Sequence, residues 1–374
     1  MEKVVFVMHR FRTGGTEKMF INIADQIHQY EIYLVILEDD YDNVYQEIPE
    51  HVTVVNFKNF KTIRYLRKIK SKFNLAYPIL NVIIFFFQIF CILFKVKIKP
   101  NITINFSDTF STLFITYIFK GRMMSWIHLN PRVVRLSRLN KLYNFYYNKC
   151  NKIICICNSQ KELFLQLFNS IDPAKVKVVY NTIDISLIDK KITEPVKNLN
   201  GDYMLMVSRL DNRSKDFITV IKAYYLIWLQ NKLFLPLVIV GEGPDRVMIK
   251  DFIESLSLGD NIILVGNDVN PYKWMKNASV FIFSSRSEGF GLVLLEAMYC
   301  GVPIISTDCE VGPREILQNG KYGVLVPVGD VEEMKNNIIK TLSNINVKTE
   351  LLNSAINRAR SFSSANRNLV KEIF

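Results

Sequence analysis

Short, continuous runs of apolar residues alternate along the chain with longer stretches in which apolar positions recur at helical spacing. The runs are Val4–Met8, Ile32–Leu37, Val52–Phe57, Ile102–Phe106, Met123–Ile127, Ile153–Cys157, Val176–Val179, Tyr203–Ser208, Pro236–Val240, Ile262–Val265, Val280–Phe283, Pro303–Thr307 and Val324–Val326. Continuous apolar runs are typical of strands buried on both faces of a parallel sheet. The pattern therefore predicts an α/β fold with two doubly wound sheets.

A polar segment separates the two halves of this pattern. Asp184 to Asp202 contains Pro195 and Gly201 and has no long apolar run, so we interpret it as a linker. The length of 374 residues exceeds what one hydrophobic core usually serves. We predict a first domain over residues 1–184 and a second over residues 185–352. Residues 353–374 form a C-terminal helix, and the sequence leaves open whether it returns to the first domain. Two such domains face each other across a cleft and bind ligands at the carboxyl ends of their strands.

Two glutamates near the C-terminal end are the most informative candidates for chemistry. Glu288 lies in a glycine-rich turn after a strand, and Glu296 lies about two turns later in a helix. At a rise of about 1.5 Å per residue, their carboxylates are roughly 10 Å apart, about the span of a nucleotide-linked sugar. This offset along one helix suits a glycosidase acid/base pair poorly. The N–H groups of Phe290 and Gly291 lie near the helix start, where phosphate binds well.

A cationic loop and two turns follow neighbouring strands of the second half. Arg209 offers a planar fork and Lys215 a compact charge, a pair suited to a diphosphate without a metal ion. A solvated surface loop is the alternative. The turns at Gly241 and after Val265 follow the next two strands, so they would line the same crevice.

The first half holds weaker candidates. Gly14 and Gly15 precede a helical pattern and allow the backbone to approach a ligand closely, and Thr16 can cap that helix. A purely structural turn has the same sequence. His128 ends the strand Met123–Ile127 and precedes a loop that could face the cleft, although an ordinary core or surface histidine fits this position too.

Eight motifs occur along the chain in a fixed order: GGTE, WIH, VVYNTID, SRLDNRSKDF, IVGEGP, EGFGLVLLE, GVPIIST and GPREIL. This order resembles the retaining glycosyltransferases of the GT-B fold, family four (glycosyl transferases group 1), of the bacterial surface-polysaccharide type. The resemblance covers nearly the whole chain and is strongest over residues 203–330. It implies two Rossmann-like domains and a nucleotide-sugar substrate, with no cofactor and no divalent metal.

The resemblance also implies roles for single residues. Glu296 would hold the ribose hydroxyls, and Glu288 would contact the donor sugar or support its leaving phosphate. Arg209 and Lys215 would neutralise the diphosphate, while His128 would contact the sugar near its reacting carbon. The implied catalytic residues are Glu288, His128, Arg209 and Lys215; the implied donor-binding residues are Gly15, Arg209, Lys215, Gly241, Val265, Glu288, Phe290, Gly291, Leu292 and Glu296.

One residue departs from the family pattern. Asp216 follows Lys215 where many members have glycine, which leaves the lysine's role intact but the path of the loop open. The acidic run from Glu38 to Asp40 follows a strand, and we interpret it as a solvated loop rather than a metal site. Retention, by front-face attack in which the leaving phosphate helps to deprotonate the acceptor, is implied by the resemblance.

The net charge of +12 and the pI near 9.2 favour an anionic partner such as nucleic acid, a membrane surface or a phosphorylated ligand. No nucleic-acid-binding module is recognisable, which disfavours the first of these. Six cysteines lack metal-ligand spacing, so we expect buried, reduced thiols in a cytosolic protein. The N-terminus runs directly into a strand and is too short and charged for a signal peptide.

A basic run followed by an apolar run is the second informative feature. Lys58–Lys72 has seven basic residues and no acid, and Phe73–Phe94 has 22 residues without a charge. If Pro78 begins the helix, about sixteen residues remain, fewer than the roughly 20 of a transmembrane helix. A core helix, an interfacial helix at the inner leaflet and a true span all stay open. Four basic residues at three-residue spacing would form a stripe if helical: Arg132, Arg135, Arg138 and Lys141.

We therefore predict a metal-independent retaining hexosyltransferase, peripheral on the inner face of the cell membrane. It would move a hexose or N-acetylhexosamine from a nucleotide sugar, UDP-linked by preference, to a lipid-linked saccharide in O-antigen, capsule or exopolysaccharide assembly. The alternatives are a non-catalytic sugar-nucleotide-binding partner and a nucleotide-sugar epimerase of the same fold. Either should lack a member of the set Arg209, Lys215, Glu288 and Glu296, which is complete here.

Overall fold

The computed structural model describes residues 1–11, 14–38, 48–57, 77–136, 138–196, 201–230, 235–343, 346–363 and 373–374, with only the backbone of 77–79 and 346–351. The chain divides into two compact units, Met1–Tyr180 with Asn368–Phe374, and Asn181–Arg367. The division falls a few residues before Asp184. The segment that we interpreted as a linker contains a helix, Ile185–Lys191, whose N-terminus is capped by the Asp184 carboxylate.

The first unit is built on a seven-stranded parallel sheet. Its strands are β1 (Lys3–Met8), β2 (Glu31–Ile36), β3 (Thr53–Asn56), β4 (Ile102–Asn105), β5 (Arg122–Ile127), β6 (Lys152–Cys155) and β7 (Val176–Val178). The strand order is β3-β2-β1-β4-β5-β6-β7. The direction of winding reverses between β1 and β4, and ligands of such sheets bind beyond the carboxyl ends of the strands at that reversal.

Helices of the first unit cover this sheet. They are α1 (Gly15–Ala24), α2 (Tyr77–Phe94), α3 (Phe110–Ile118), α4 (Pro131–Arg135), α5 (Asn140–Lys149) and α6 (Asn158–Leu167), with a short 3-10 helix at Pro173–Lys175. The N-cap of α1 is Gly14, so Thr16 lies inside the first turn and the expectation that it caps the helix is wrong. The last residues of the chain belong to this unit, because Lys152 Nζ donates to the carbonyl oxygen of Ile373 over 2.6 Å.

The second unit has a six-stranded parallel sheet. Its strands are β8 (Met204–Val207), β9 (Leu237–Val240), β10 (Ile262–Gly266), β11 (Val280–Phe283), β12 (Ile304–Thr307) and β13 (Val324–Val326), in the order β10-β9-β8-β11-β12-β13. Its helices are α7 (Ile185–Lys191), α8 (Phe217–Leu229), α9 (Arg246–Ser255), α10 (Tyr272–Asn277), α11 (Leu292–Cys300), α12 (Pro313–Ile316), α13 (Val331–Ser343) and α14 (Asn346–Arg360). Winding reverses between β8 and β11.

The predicted α/β architecture is confirmed. Each of the thirteen apolar runs forms a strand, with ends that differ from the prediction by at most two residues. The sheet interiors are almost entirely buried, as the continuous apolar runs require. All six cysteines are buried free thiols.

Helix α2 corresponds to the apolar run for which three interpretations were open. One face packs on the core, and the buried Gln88 donates from Nε2 to the carbonyl oxygen of Leu37 over 2.7 Å. The other face is exposed. Among the described residues, none of the helices combines the length and the apolar character needed to cross a membrane. The basic run Lys58–Lys72 lies outside the described residues.

The predicted basic stripe does not lie on one continuous helix. Arg132 and Arg135 belong to α4, whereas Lys141 belongs to α5, and Arg138 lies between the two helices. All four side chains are exposed.

Candidate active site

The loops after β8 and β11 bring a lysine and a glutamate together at the point where the sheet reverses. Lys215 and Ser285 form an isolated antiparallel bridge between these loops. Lys215 Nζ forms an ion pair with Glu288 Oε1, and Ser285 Oγ donates to the same oxygen over 2.6 Å. The lysine and glutamate side chains are only 16% and 13% exposed, so the pair is largely removed from water.

This arrangement holds a positive charge in a fixed place. An ammonium group has three N–H donors. One is directed at Glu288, while Nζ also lies 5.0 Å from the centre of the Phe283 ring. A cation preorganised in a poorly solvated site can stabilise negative charge that develops on a phosphate. The structure therefore brings Lys215 and Glu288, both candidate site residues, into direct contact.

A second cluster of charges precedes Lys215 in the same loop. The Asp211 side chain is 4% exposed and forms ion pairs with both Arg209 and Arg213. The hydrogen bond from the Arg213 guanidinium is the main reason that the pKa of Asp211 is lowered. The Arg209 side chain is 60% exposed, so part of its guanidinium fork is accessible to a ligand.

The structure explains the departure from the family pattern at Asp216. Its carboxylate caps α8 by accepting from the N–H and the hydroxyl of Thr219 over 3.3 and 2.8 Å. It also accepts from Arg286 Nη2 over 2.8 Å, which ties the start of α8 to the loop after β11. Asp216 is fully buried. The aspartate therefore supports the loop and leaves the Lys215 side chain free to face Glu288.

The glycine turn after β9 contacts the cationic loop on one side and the turn after β10 on the other. Gly241 has a φ of +143°, and a Cβ at this position would lie 2.0 Å from the carbonyl oxygen of Ser208, so only glycine fits. Its N–H donates to the carbonyl oxygen of Gly266 over 2.8 Å. Val265, the preceding residue in β10, is half-buried. The ends of three neighbouring strands are thus joined by backbone contacts.

Helix α11 begins directly after the turn that carries Glu288. Its N-cap is Gly291, with a φ of +96° and no side chain to cap the helix. The first N–H groups of a helix have no partner within it, so this end suits an anion. Phe290 is buried and Leu292, the first helical residue, is half-buried.

Glu296 is the fifth residue of α11, which places it somewhat nearer the helix start than the sequence spacing predicted. It is 5% exposed and accepts from the Tyr272 hydroxyl over 3.1 Å. A carboxylate has two oxygens that accept hydrogen bonds. Tyr272, the first residue of α10, therefore helps to fix the position of the Glu296 carboxylate.

His128 of the first unit is buried beyond the end of β5. Its ring lies parallel to that of Trp126 at 6.0 Å and 4.5 Å from the Phe106 ring. Neither ring nitrogen has a hydrogen-bond partner among the described residues. Burial lowers the pKa of this imidazole to about 3, so it is neutral at pH 7. A neutral ring can donate one hydrogen bond and accept another.

Asp108 positions the backbone around His128. Its Oδ2 accepts from the N–H groups of His128 and Leu129, each over 2.8 Å, while no described residue bonds to Oδ1. Burial raises the pKa of Asp108 to about 7, and the two backbone hydrogen bonds oppose that shift. Asp108 follows β4, one of the two strands at the reversal of this sheet.

The remaining candidates of the first unit lie near the end of β1. Gly15 is the exposed first residue of α1. The loops after β1 and β4 are joined by a hydrogen bond from the His9 N–H to Ser107 Oγ over 3.1 Å. Glu38 is paired with Arg10, whereas Asp39 and Asp40 lie outside the described residues.

Sequence reasoning missed three residues that contact the candidate residues of the second unit, Ser285, Asp211 and Tyr272, and one beside His128 in the first unit, Asp108. Asp108 was accessible to a looser form of the rule that selected His128, since it lies three residues after the end of the buried strand β4. Tyr272 gave no signal, because its partner Glu296 is 24 positions away. Within the described part of the chain, no three His, Cys, Asp or Glu side chains are grouped so that they could hold a metal ion.

Comparisons with known proteins agree with this architecture. Residues 188–362 match the family model for glycosyl transferases group 1. The chain is 28% identical, over 97% of its length and 96% of the relative, to the N-acetylgalactosamine-N,N'-diacetylbacillosaminyl-diphospho-undecaprenol 4-alpha-N-acetylgalactosaminyltransferase of Campylobacter jejuni.

Solved structures show the same fold. Anabaena HepE, crystallised with UDP and glucose, superposes with a TM-score of 0.76 at 19% identity, over 99% of each chain. Staphylococcus aureus TarM, crystallised with UDP among its ligands, gives a TM-score of 0.75 at 17% identity, again over 99% of each chain. The chain therefore has the GT-B fold of these glycosyltransferases, and its residues 188–362 match glycosyl transferases group 1.

Proposed function

We propose that the protein transfers a hexose or an N-acetylhexosamine from a nucleotide sugar, preferably UDP-linked, to a lipid-linked saccharide. The transfer retains the anomeric configuration and needs no divalent metal. The observation that carries this proposal is the cluster of Lys215, Glu288 and Ser285 beside Arg209, at the reversal of the second sheet. The Campylobacter relative, which by its name acts on a diphospho-undecaprenol saccharide, supports the acceptor class.

The chemistry begins with cleavage of the bond between the anomeric carbon and the β-phosphate oxygen. Negative charge builds on the departing phosphate while the sugar gains oxocarbenium character. Lys215 and Arg209 neutralise the phosphates, and the N-terminus of α11 adds backbone N–H donors. Two fixed cations and a helix end can perform the task that a bound Mg²⁺ performs in other transferases.

The two glutamates have separate tasks in this reaction. Glu296 accepts hydrogen bonds from the two ribose hydroxyls, one at each carboxylate oxygen. Glu288 orients Lys215 and accepts from a hydroxyl of the donor sugar. Neither glutamate attacks the anomeric carbon.

Retention follows if the acceptor attacks from the face that the phosphate leaves. The acceptor hydroxyl forms the new bond to the anomeric carbon and its proton passes to an oxygen of the departing phosphate. His128 is neutral because burial lowers its pKa to about 3, so it binds a donor-sugar hydroxyl rather than supplying charge. We place the reaction at the inner face of the cell membrane, in O-antigen, capsule or exopolysaccharide assembly.

A donor screen tests the proposal. Release of nucleotide from UDP-, GDP- and other nucleotide sugars is measured with a polyprenyl-diphosphate saccharide as acceptor. We expect acceptor-dependent release of UDP that Lys215→Ala slows about 10²- to 10³-fold. Lys222→Ala, a change at an exposed lysine of α8, should leave it intact. The proposal fails if no donor is turned over and Glu296→Ala leaves nucleotide binding unchanged.

Two further measurements test retention and metal independence separately. Proton–proton couplings at the new anomeric centre identify the product, and an inverted product overturns retention alone. Activity that disappears in EDTA and returns with Mg²⁺ overturns metal independence alone.

A further inference from the structure

The positive charge of this chain is concentrated in one stretch. Between His51 and Lys161 the sequence has nineteen lysines and arginines and a single acid, Asp108, which gives a formal charge of +18. The rest of the chain has a formal charge of −6. The overall charge of +12 therefore hides a strongly basic segment in a chain that is otherwise slightly acidic.

Of the twelve basic side chains in the described part of this stretch, ten are exposed and two, Lys152 and Lys161, are half-buried. The exposed residues are Lys95, Lys97, Lys99, Lys120, Arg122, Arg132, Arg135, Arg138, Lys141 and Lys149. The single acid is half-buried, with its Oδ2 turned to the backbone around His128. No exposed carboxylate is present between residues 77 and 149 to balance these charges.

The same stretch exposes an unusual amount of apolar surface. Of the twenty-one large apolar side chains that are exposed in the described residues, thirteen lie between residues 77 and 149. Six of them form one stripe along α2, opposite its buried face: Val82, Ile83, Phe86, Phe90, Leu93 and Phe94. Phe86 and Phe94 are 63% and 64% exposed. Single exposed apolar residues are normal, whereas a continuous stripe marks an interaction surface.

A second exposed apolar group lies on α4 and α5, interleaved with arginines. Its members are Leu129, Val133, Leu136, Leu139, Leu142 and Phe145, and Leu136 is 84% exposed. Aromatic rings connect this group to α2: Phe85 lies 5.7 Å from Phe114, which lies 5.7 Å from Tyr146, which lies 5.1 Å from Phe145. The two apolar groups therefore belong to one region of the first unit.

The combination of exposed basic and exposed apolar side chains favours one kind of partner over others. A second copy of the chain would bring two strongly basic faces together, which like charges disfavour. Nucleic acid would use the basic residues but would leave the phenylalanine stripe in water. An anionic bilayer satisfies both features, because phenyl rings enter the acyl boundary while lysines and arginines meet lipid phosphates.

We propose that α2 lies in the surface of an anionic bilayer, with Phe86, Phe90 and Phe94 among the acyl chains. Lys95, Lys97 and Lys99, directly after the helix, contact lipid phosphates. The exposed side chains of α4 and α5 extend this surface, which we call the α2 membrane face. The proposal deepens the function above, since it names the surface that brings the enzyme to a lipid-linked acceptor.

Vesicle co-sedimentation of the full chain tests the α2 membrane face. The vesicles contain either phosphatidylcholine alone or phosphatidylcholine with phosphatidylglycerol. We expect binding to the second kind only, weakened at high salt. The triple change Phe86→Ser, Phe90→Ser and Phe94→Ser should reduce binding at least tenfold. The control, Trp228→Ser with Leu229→Ser, changes exposed apolar residues of the second unit and should have no effect.

The lysines have their own matched control. Changing Lys95, Lys97 and Lys99 to glutamine should weaken binding by about fivefold per residue, since each basic residue near an anionic surface contributes on the order of 1 kcal/mol. Changing Lys222, Lys250 and Lys276, which are exposed in the second unit, should not. Circular dichroism and thermal midpoints show whether each variant is folded.

Should the triple phenylalanine variant not fold, Phe86→Trp provides an independent measurement. Its fluorescence should shift to the blue with anionic vesicles and be quenched by brominated acyl chains. Absence of quenching overturns the proposal, as does vesicle binding that the phenylalanine changes leave intact. Concentration-dependent dimerisation that the triple variant abolishes would assign the stripe to a second copy instead.

Turnover with a short-chain, water-soluble acceptor separates this proposal from the proposed function. If the triple variant keeps that turnover but loses vesicle binding, both proposals stand. If turnover is absent in the unchanged protein while vesicle binding depends on the stripe, only the proposed function fails.

Discussion

The two units share the same winding but place opposite kinds of chemistry at their sheet reversals. In the second unit, the loops after β8 and β11 carry a paired lysine and glutamate and an aspartate between two arginines. In the first unit, the corresponding loops after β1 and β4, with the end of β5, hold a neutral histidine and a half-buried aspartate whose pKa is raised to about 7.

The difference shows that the fold specifies where a site lies but not what the site does. Paired charges at the second reversal suit a ligand that is itself highly charged, such as a diphosphate. An uncharged imidazole suits hydroxyl groups, where a full charge would be costly to bury. The charged residues at the reversal of the second sheet (the charged half) and the neutral residues at the reversal of the first sheet (the neutral half) can therefore be tested separately. Each can be changed without altering the other.

The largest effect should come from Lys215→Ala. Loss of a preorganised charge at a developing anion typically costs about 10²- to 10³-fold in kcat. The change also leaves Glu288 with Ser285 as its remaining hydrogen-bond donor among the contacts described here. Steady-state kinetics with the nucleotide sugar measure it, and Lys222→Ala is the control. Equal rates for the two variants would show that the charged half does not carry the chemistry.

How far the sequence predicts these sites can be judged from particular residues. The strands followed from continuous apolar runs, because burial on both faces leaves no other pattern. Arg209, Lys215 and Glu288 followed from their positions after strand ends, and Glu296 followed from its spacing along the helix after Glu288. The strand order did not, because periodicity contains no information about which strands are neighbours. Hence the contact between Lys215 and Glu288, 73 positions apart, appeared only in the structure.

Local conformation set a second limit. The cap of α1 was assigned to Thr16 by residue type, but the helix starts at Gly15, two residues too early for that hydroxyl to serve as the cap. Asp216 was interpreted as a departure from a pattern, while its contact with the loop after β11 is made through Arg286, which is 70 positions away. Composition identifies such residues but not their partners.

The second effect should distinguish two arginines that share one carboxylate. Arg209→Ala should lower kcat/KM for the nucleotide sugar about 10- to 100-fold, because a hydrogen bond to a charged group contributes about 1.5–3 kcal/mol. Arg213→Ala should leave it nearly unchanged, since the Arg213 side chain is 83% exposed and serves Asp211. Either variant keeps one arginine on Asp211, so the pair is matched. Equal losses would contradict the assignment of Arg209 to the diphosphate.

The third effect concerns the neutral half and appears in the pH dependence of stability. The raised pKa of Asp108 means that the folded state keeps a proton which the unfolded state releases near pH 4, so its contribution to the unfolding free energy falls from about pH 4 to 7. The lowered pKa of His128 has the opposite sign, because the unfolded state gains a proton below about pH 6.5 that the folded state does not bind. Between about pH 4 and 6.5 the two slopes oppose each other.

Variants that change one residue at a time should reveal how each group makes the unfolding free energy depend on pH. Asp108→Asn should leave stability that rises with pH over this range, and His128→Gln stability that falls, each by about 1.4 kcal/mol per pH unit. Tyr143 and Tyr147 also adjoin Asp108, but their raised pKa values keep them protonated throughout. Urea unfolding followed by Trp126, after Trp228→Phe and Trp274→Phe, reports on the first unit. If the unfolding free energy changed with pH in the same direction in both variants, the pKa shifts of Asp108 and His128 would not have opposite effects on stability.

The smallest effect should come from the cap of α8 in the charged half. Asp216→Ala removes the carboxylate that accepts from Thr219 and Arg286, and loss of an N-cap typically costs about 1 kcal/mol of unfolding free energy. Asp216→Gly, the residue common in the family, should cost only a few tenths, because glycine is well tolerated at N-caps. Denaturation of the second unit measures both changes.

Activity per folded molecule should persist in both Asp216 variants. Lys215 is held by its own bridge to Ser285 and by Glu288, and neither contact involves the Asp216 carboxylate. Asp184→Ala is the matched control, since Asp184 caps α7 with a single hydrogen bond of 2.9 Å to the Leu187 N–H. It should lower stability by a similar amount, again without loss of turnover. If Asp216→Gly instead reduced kcat as strongly as Lys215→Ala, the aspartate would belong to the charged site itself rather than to the helix that supports it.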